Sequence, residues 1–181
     1  MSLVKVYLMK KAIFLDRDGV INKEKEYLYK IEDFEFIEGC FESLLKLQER
    51  GYFLFIITNQ SGIGRNYYSE DDFKKLTSWM INEFKKRGIT ISQVEYCKHI
   101  KNDMCNCRKP KTGMIENILK NYSIDLNKSW LVGDKHSDIQ CALNAGIKNT
   151  IQVRSGHKFS EKETKANYVC NTIADLSDLI N

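Results

Sequence analysis

The run Ala12-Ile13-Phe14-Leu15-Asp16-Arg17-Asp18-Gly19-Val20 sets four uninterrupted apolar residues directly before an acidic turn that contains glycine. A short apolar run of that kind reads as a strand buried on both faces, as in a parallel sheet. Further along, Phe41, Leu44 and Leu45 share a helical face, Gly51 ends that helix, and residues 53–57 form a second apolar run. Ser69 with Asp72 makes a capping box for a helix bearing Phe73, Leu76, Met80 and Phe84, which Lys85, Lys86 and Arg87 close before Gly88. The same alternation predicts a third strand before Cys97, a helix capped by Thr112 with Ile115, Ile118, Leu119 and Tyr122, and a fourth strand at 129–132. A helix at 137–145 ended by Gly146, strands near 150–153 and 168–169, and a last helix from Thr172 complete the pattern. Strands alternating with helices predict an α/β fold, a Rossmann-like doubly wound parallel sheet.

The 181 residues, 43% of them hydrophobic, suffice for one core, so a single domain over 1–181 is expected, and a monomer. The segment 23–39 is too short for a lid with its own core. A net charge of +4 without blocks of like charge argues against a nucleic-acid partner while suiting a small anionic substrate. No apolar run reaches the roughly 18 residues that span a bilayer. The start of the chain lacks a signal peptide's apolar stretch, so the expected location is the cytoplasm.

In a doubly wound sheet ligands bind beyond the carboxyl ends of the strands. The residues there are Asp16 and Asp18, the run Thr58-Asn59-Gln60-Ser61, and Asp134-Lys135, with Arg108-Lys109 in a loop nearby. Aspartates also serve simple turns. Carboxylates from separate strand ends, however, repel one another unless a hard cation such as Mg2+ joins them, with substrate phosphate completing its oxygen shell. Such a site suits phosphate-ester hydrolysis. Asp16 can attack phosphorus, and Asp18 can protonate the leaving oxygen and later deprotonate water. Thr58 offers a hydroxyl and Lys109 a charge to the phosphoryl oxygens, and the Arg108 fork suits a second anionic group.

Cys97-x-His99 and Cys105-x-Cys107 present three thiols and an imidazole within eleven residues, a set suited to a closed tetrahedral zinc site. Closure leaves no place for substrate, so the zinc is expected to be structural, ordering the loop that leads into Arg108 and Lys109. Cys40, Cys141 and Cys170 are expected as buried free thiols.

Asp16-x-Asp18-Gly19-Val20, Thr58, Lys109 and Gly133-Asp134-x-x-x-Asp138 together resemble the ordered motifs of the haloacid dehalogenase superfamily of phosphatases. The resemblance implies that fold without a large cap domain. It makes Asp16 the nucleophile and Asp18 the general acid/base, with Thr58 and Lys109 holding the phosphoryl group. Mg2+ would be held by Asp16, the backbone carbonyl of Asp18, and Asp134. Asp138 is either a supporting carboxylate or the cap of the helix that starts beside it.

The longer runs around these motifs, with Asp33-Phe34-Glu35-Phe36-Ile37-Glu38-Gly39, Cys107-Arg108-Lys109-Pro110 and Val153-Arg154-Ser155-Gly156, are similar to the D-glycero-D-manno-heptose 1,7-bisphosphate phosphatases. That family removes the 7-phosphate on the way to nucleotide-activated heptose for surface polysaccharide. The similarity assigns Arg108 to the phosphate that is not cleaved. It assigns Glu24, Lys25, Glu26, Tyr27, Asn59, Gln60, Ser61 and Lys135 to the sugar pocket, although Glu24, Lys25 and Glu26 match in place rather than in residue type. Only five residues separate His99 from Cys105, a loop closer to that of the related histidinol-phosphate phosphatases, which stand as the alternative. Their cationic substrate would be a poor neighbour for Arg108.

Overall fold

The computed structural model describes residues 9–181, so the reading of the start of the chain as free of a signal peptide falls, apart from Met9, outside the described residues. The strands are β1 (Ala12–Leu15), β2 (Phe53–Asn59), β3 (Ile91–Cys97), β4 (Trp130–Gly133), β5 (Asn149–Val153) and β6 (Tyr168–Cys170). The helices are α1 (Cys40–Glu49), α2 (Ser61–Gly64), α3 (Glu70–Lys86), α4 (Gly113–Asn121), α5 (His136–Asn144) and α6 (Leu176–Leu179). They build one sheet in the order β3-β2-β1-β4-β5-β6 with every pairing parallel. The chain winds outward from β1 to β3, then returns to lay β4 on the other side of β1. The carboxyl ends of β1 and β4 therefore flank the point where the winding reverses, where ligands of such sheets sit.

The period-two alternation of β1 sorts its side chains between two cores. Ile13 and Leu15 pack with Leu44 and Leu47 of α1, Leu76, Met80 and Phe84 of α3, and Leu176 of α6. Ala12 and Phe14 face Ile115 and Ile118 of α4 and Cys141 and Ala142 of α5. Cys40, Cys141 and Cys170 are free and buried, as expected.

The capping box of α3 forms as its sequence predicts: the Ser69 hydroxyl accepts from the Asp72 N–H at 3.0 Å, and the Asp72 carboxylate accepts from the Ser69 N–H at 2.9 Å. Three local expectations are corrected. Thr112 occupies the cap position of α4, but its hydroxyl donates to Glu116 Oε1 and accepts no backbone N–H. Ser129 precedes β4, its side chain accepting the Ala12 N–H at 2.9 Å. The final helix opens with a 3-10 turn, Ile173–Asp175, capped by Thr172. The short α2 was not legible as a helix, because a single turn rich in glycine lacks any apolar period.

Among the described residues no large inserted domain covers the sheet. The segment after β1 holds the 3-10 turn Ile31–Asp33 and isolated bridges from Asn22 to Asp18 and to Phe36. Phe34 and Phe36 anchor it against Trp79.

Candidate active site

Asp16 and Asp134 follow adjacent parallel strands: Leu15 pairs with Val132, so Asp134 stands one residue beyond the level of Asp16. Carboxylate oxygens of Asp16, Asp134 and Asp138 lie within 4.8 Å of one another, all three residues buried. Lys109 joins this cluster. Its Nζ is 3.0 Å from Asp16 Oδ1 and 2.7 Å from Asp138 Oδ1, and it donates to the Ile57 carbonyl at 2.8 Å. Burial pushes the Asp16 carboxyl upward, the Lys109 charge opposes that shift, and Asp138 adds to it. Burial alone would lower the Lys109 ammonium, but Asp138 and Asp16 overcome it and hold the charge well above the usual range.

Lys109 pairs with Asp16 and Asp138, while the Asp134 carboxylate meets the His157 ring, Nδ1 lying 2.7 Å from Oδ2. Asp134 Oδ1 is buried with no hydrogen-bond partner, whereas Oδ2 accepts the His157 N–H at 2.8 Å. Gly19 and Gly156 wall in this carboxylate: a Cβ on either would stand 2.7 Å or 2.2 Å from Oδ2. Ser155 ties the wall together by donating to the Gly19 carbonyl at 2.6 Å. An all-oxygen donor set with an orphaned buried oxygen fits a hard divalent cation. Asp138 also resolves its two sequence-level roles: it faces Lys109 and, through Oδ2, accepts the Lys135 N–H at 2.9 Å at the start of α5.

Asp18 turns away from this cluster. Arg17, only 1% exposed, donates to its two oxygens from Nη2 at 2.9 Å and also to the Leu28 carbonyl. Asn22 and Gln60 each donate to Asp18 at 3.0 Å. Burial pushes the Asp18 carboxyl up, but the Arg17 charge and the hydrogen bonds from Arg17, Asn22 and Gln60 outweigh it and hold the group below its ordinary value. Gln60 Nε2 also donates to Thr58 Oγ1 at 2.9 Å, and Gln60 Oε1 accepts from the Tyr68 hydroxyl at 2.6 Å.

A cavity of about 210 Å³ opens over these groups, and Glu24, Lys25, Glu26, Tyr27, Gln60, Ser61 and Lys135 all border it. A neighbouring cavity of about 450 Å³ is bordered by Lys101, Arg108, Lys109 and Lys111, with Asn59, Ser61 and Lys135 shared between the two. The pocket residues named from sequence thus converge, with different freedom. Asn59 clamps the Lys109 backbone, accepting its N–H at 3.1 Å and donating to its carbonyl at 3.3 Å. Lys25 is tied to the Asp33 carbonyl and to Glu35. Glu24 is pushed up to about 7 by burial, with the Asp18 charge adding to the shift. Burial lowers the Lys135 ammonium, but Asp134, Asp16 and Glu24 carry it above its ordinary value.

Cys97, His99, Cys105 and Cys107 point four ligand atoms inward, all within 4.8 Å of one another. A tetrahedron with Zn–S near 2.3 Å and Zn–N near 2.0 Å has edges of about 3.8 Å between sulfurs and about 3.5 Å from sulfur to nitrogen. The observed Cys97–Cys105 separation is 3.8 Å, and His99 Nδ1 lies 3.5 Å from Cys97 and 3.3 Å from Cys107. Cys97 and Cys107 are closer, at 3.0 Å, but still far beyond a disulfide. Arg108 donates to the His99 carbonyl at 3.1 Å and Lys111 to the Cys105 carbonyl, so the cluster anchors two cations of the larger cavity.

Arg17, Asn22, Tyr68 and His157 belong to the site without having been singled out in the sequence. Arg17 stood inside the opening motif, but burial of an arginine is not written in spacing. Tyr68 and His157 reach the site only because the sheet brings distant loops together.

Residues 106–176 match the HAD-hydrolase-like family model. The D-glycero-beta-D-manno-heptose-1,7-bisphosphate 7-phosphatase of Pasteurella multocida is 46% identical over 179 residues, covering 95% of this chain and 97% of that protein. The D-glycero-alpha-D-manno-heptose-1,7-bisphosphate 7-phosphatase of Photorhabdus laumondii is also 46% identical, over 177 residues, covering 94% and 96%. Among solved structures, the D,D-heptose 1,7-bisphosphate phosphatase of B. bronchiseptica, complexed with magnesium and phosphate, superposes with a TM-score of 0.82 at 27% identity, covering 93% of this chain and 97% of that one. With the strand-end carboxylates already converging on one point, likeness of this extent along nearly the whole chain means that it belongs to the haloacid-dehalogenase-like heptose-1,7-bisphosphate 7-phosphatase family.

Proposed function

We propose that this enzyme hydrolyses the 7-phosphate of D-glycero-D-manno-heptose 1,7-bisphosphate through an aspartyl-phosphate on Asp16. The observation that carries the reading is the meeting of Asp16, Asp134, Asp138 and Lys109 at the carboxyl ends of adjacent strands. Mg2+ held by Asp16 and Asp134, with the Asp18 carbonyl, would supply charge neutralisation that lets an anionic nucleophile approach a phosphate.

The chain's own groups account for the rest. An Asp16 oxygen attacks phosphorus while the bond from phosphorus to the C7 oxygen breaks, and that oxygen takes a proton from Asp18. Asp18, ionised in its cage of donors, first takes up that proton from solvent, as the arrival of a phosphate dianion beside it raises its proton affinity. In the second step Asp18 takes a proton from water as the water oxygen attacks phosphorus, releasing inorganic phosphate and restoring the Asp16 carboxylate. Thr58 and Lys109 face the equatorial phosphoryl oxygens throughout.

The remaining phosphate is assigned to Arg108 in the cationic neighbouring cavity, with the sugar between Glu24, Lys25, Glu26, Tyr27, Asn59, Gln60, Ser61 and Lys135. Zn2+ bound by Cys97, His99, Cys105 and Cys107 is assigned a structural role, supported by the gathering of their four donor atoms within 4.8 Å of one another. The chain is read as one domain, a cytoplasmic monomer making heptose 1-phosphate for nucleotide activation. No helix among the described residues is long and apolar enough to cross a membrane.

Histidinol phosphate tests the substrate assignment. Phosphate release from heptose 1,7-bisphosphate should exceed that from histidinol phosphate by at least about 100-fold in kcat/KM, because a cationic amine would face Arg108 and Lys101 where a second phosphate would pair with them. Faster turnover of histidinol phosphate would reverse the assignment.

A further inference from the structure

Gln60 borders the sugar pocket, yet its side chain is 3% exposed and both of its polar atoms are engaged within the protein. Nε2 donates to Asp18 Oδ2 at 3.0 Å and to Thr58 Oγ1 at 2.9 Å, and Oε1 accepts from the Tyr68 hydroxyl at 2.6 Å. The carboxylate of Asp18 only accepts, so the amide nitrogen must face it and the amide oxygen must face Tyr68. That fixes the flip of the amide, and with it the role of Thr58. An amide nitrogen cannot accept, so Thr58 Oγ1 receives a proton from Gln60 and its own single proton points elsewhere. No protein acceptor among the described residues takes that proton.

Tyr68 is held as firmly as the group it orients. Its ring stacks on Tyr29 with centroids 5.2 Å apart, and it fills the space beside Gly62, where a Cβ would meet the ring at 2.1 Å. It directly precedes Ser69, the capping residue of α3. We infer that Gln60, locked by the Tyr68 hydroxyl, is a positioning residue that keeps the Thr58 hydroxyl turned outward as a donor to the phosphoryl group. The inference rests on the assignment of Thr58 to the phosphoryl oxygens.

The test is a double-mutant cycle on phosphate release from heptose 1,7-bisphosphate at saturating Mg2+, with the thermal midpoint of each variant confirming its fold. Thr58→Val should lower kcat about 100-fold, as loss of one oriented donor does. Gln60→Met should lower kcat about 10-fold with KM within about twofold, and Tyr68→Phe about threefold. The share of the Gln60→Met loss that passes through Thr58 should vanish in the double variant Thr58→Val/Gln60→Met, which should lose about 300-fold at most, because only the lost contact to Asp18, an effect of about threefold, then adds to the loss of Thr58. A double loss near the product of the two, about 1,000-fold, or a Gln60→Met kcat within twofold of wild type, overturns the inference while leaving Thr58 in place. A Thr58→Val enzyme with full kcat overturns the Thr58 assignment itself, and the inference with it. Should Gln60→Met fail to fold, Tyr68→Phe completes the cycle on the same criterion of additivity.

Discussion

Asp18 stands two residues from Asp16, yet the two carboxyls meet opposite environments: Asp16 faces Lys109 and other carboxylates, while Asp18 is gripped by Arg17, Asn22 and Gln60. A carboxyl whose value is lowered on folding adds stability that is complete above its unfolded value and is lost as pH falls through the lowered one. For Asp18, held below 3.8, the window is the acid side of that value. The stability difference between wild type and Asp18→Asn, from urea unfolding, should be flat from about pH 7 to pH 5 and then shift against wild type toward pH 3. A difference that stays constant down to pH 3 would show that the cage does not favour the ionised form. The convergence of the aspartates was legible because Asp16, Asp18 and Asp134 all follow predicted strands at one end of the sheet, whereas the pair alone would equally suit a turn. Their opposite surroundings were not, since those depend on Gln60 and Lys109, far away in sequence.

At the scale of elements, the loop between β3 and α4 carries the clustered cysteine and histidine side chains, and the zinc proposed there would order it. Cys97 closes β3, and Cys107 stands immediately before Arg108. Removing zinc with a chelator, then restoring Mg2+, should raise amide hydrogen exchange across residues 98–108 by at least about tenfold while leaving β1 and β4 protected. KM for the bisphosphate should rise with it, because the Arg108 guanidinium is braced by the His99 carbonyl. Unchanged exchange in the loop would deny the metal its structural role. The gathering of these four side chains could be anticipated from spacing alone. The bracing bond could not, because a backbone carbonyl as partner leaves no trace in residue type. Helix α3 shows the opposite case, with cap, apolar face and end each written locally by Ser69, Phe73, Leu76, Met80, Phe84 and Gly88.

Across the whole molecule, the alternation of strands and helices announced a parallel sheet, but the order β3-β2-β1-β4-β5-β6 comes from the return of β4 to the side of β1, a packing choice that no local period encodes. That return brings Asp134 to Asp16. Mg2+ at about 100 times its Kd should raise unfolding stability by about 2.7 kcal/mol. Asp134→Ala should abolish that gain, whereas Mg2+ stabilising the variant and wild type equally would place the ion elsewhere. The central claim concerns the bond formed on Asp16. Wild-type enzyme mixed with heptose 1,7-bisphosphate and quenched in acid within its first turnover should yield, by mass spectrometry, a peptide phosphorylated at Asp16. Asp16→Asn should yield none and release no phosphate. An Asp16→Asn enzyme that still turns over substrate, or wild-type turnover with Asp16 never modified, would contradict the account.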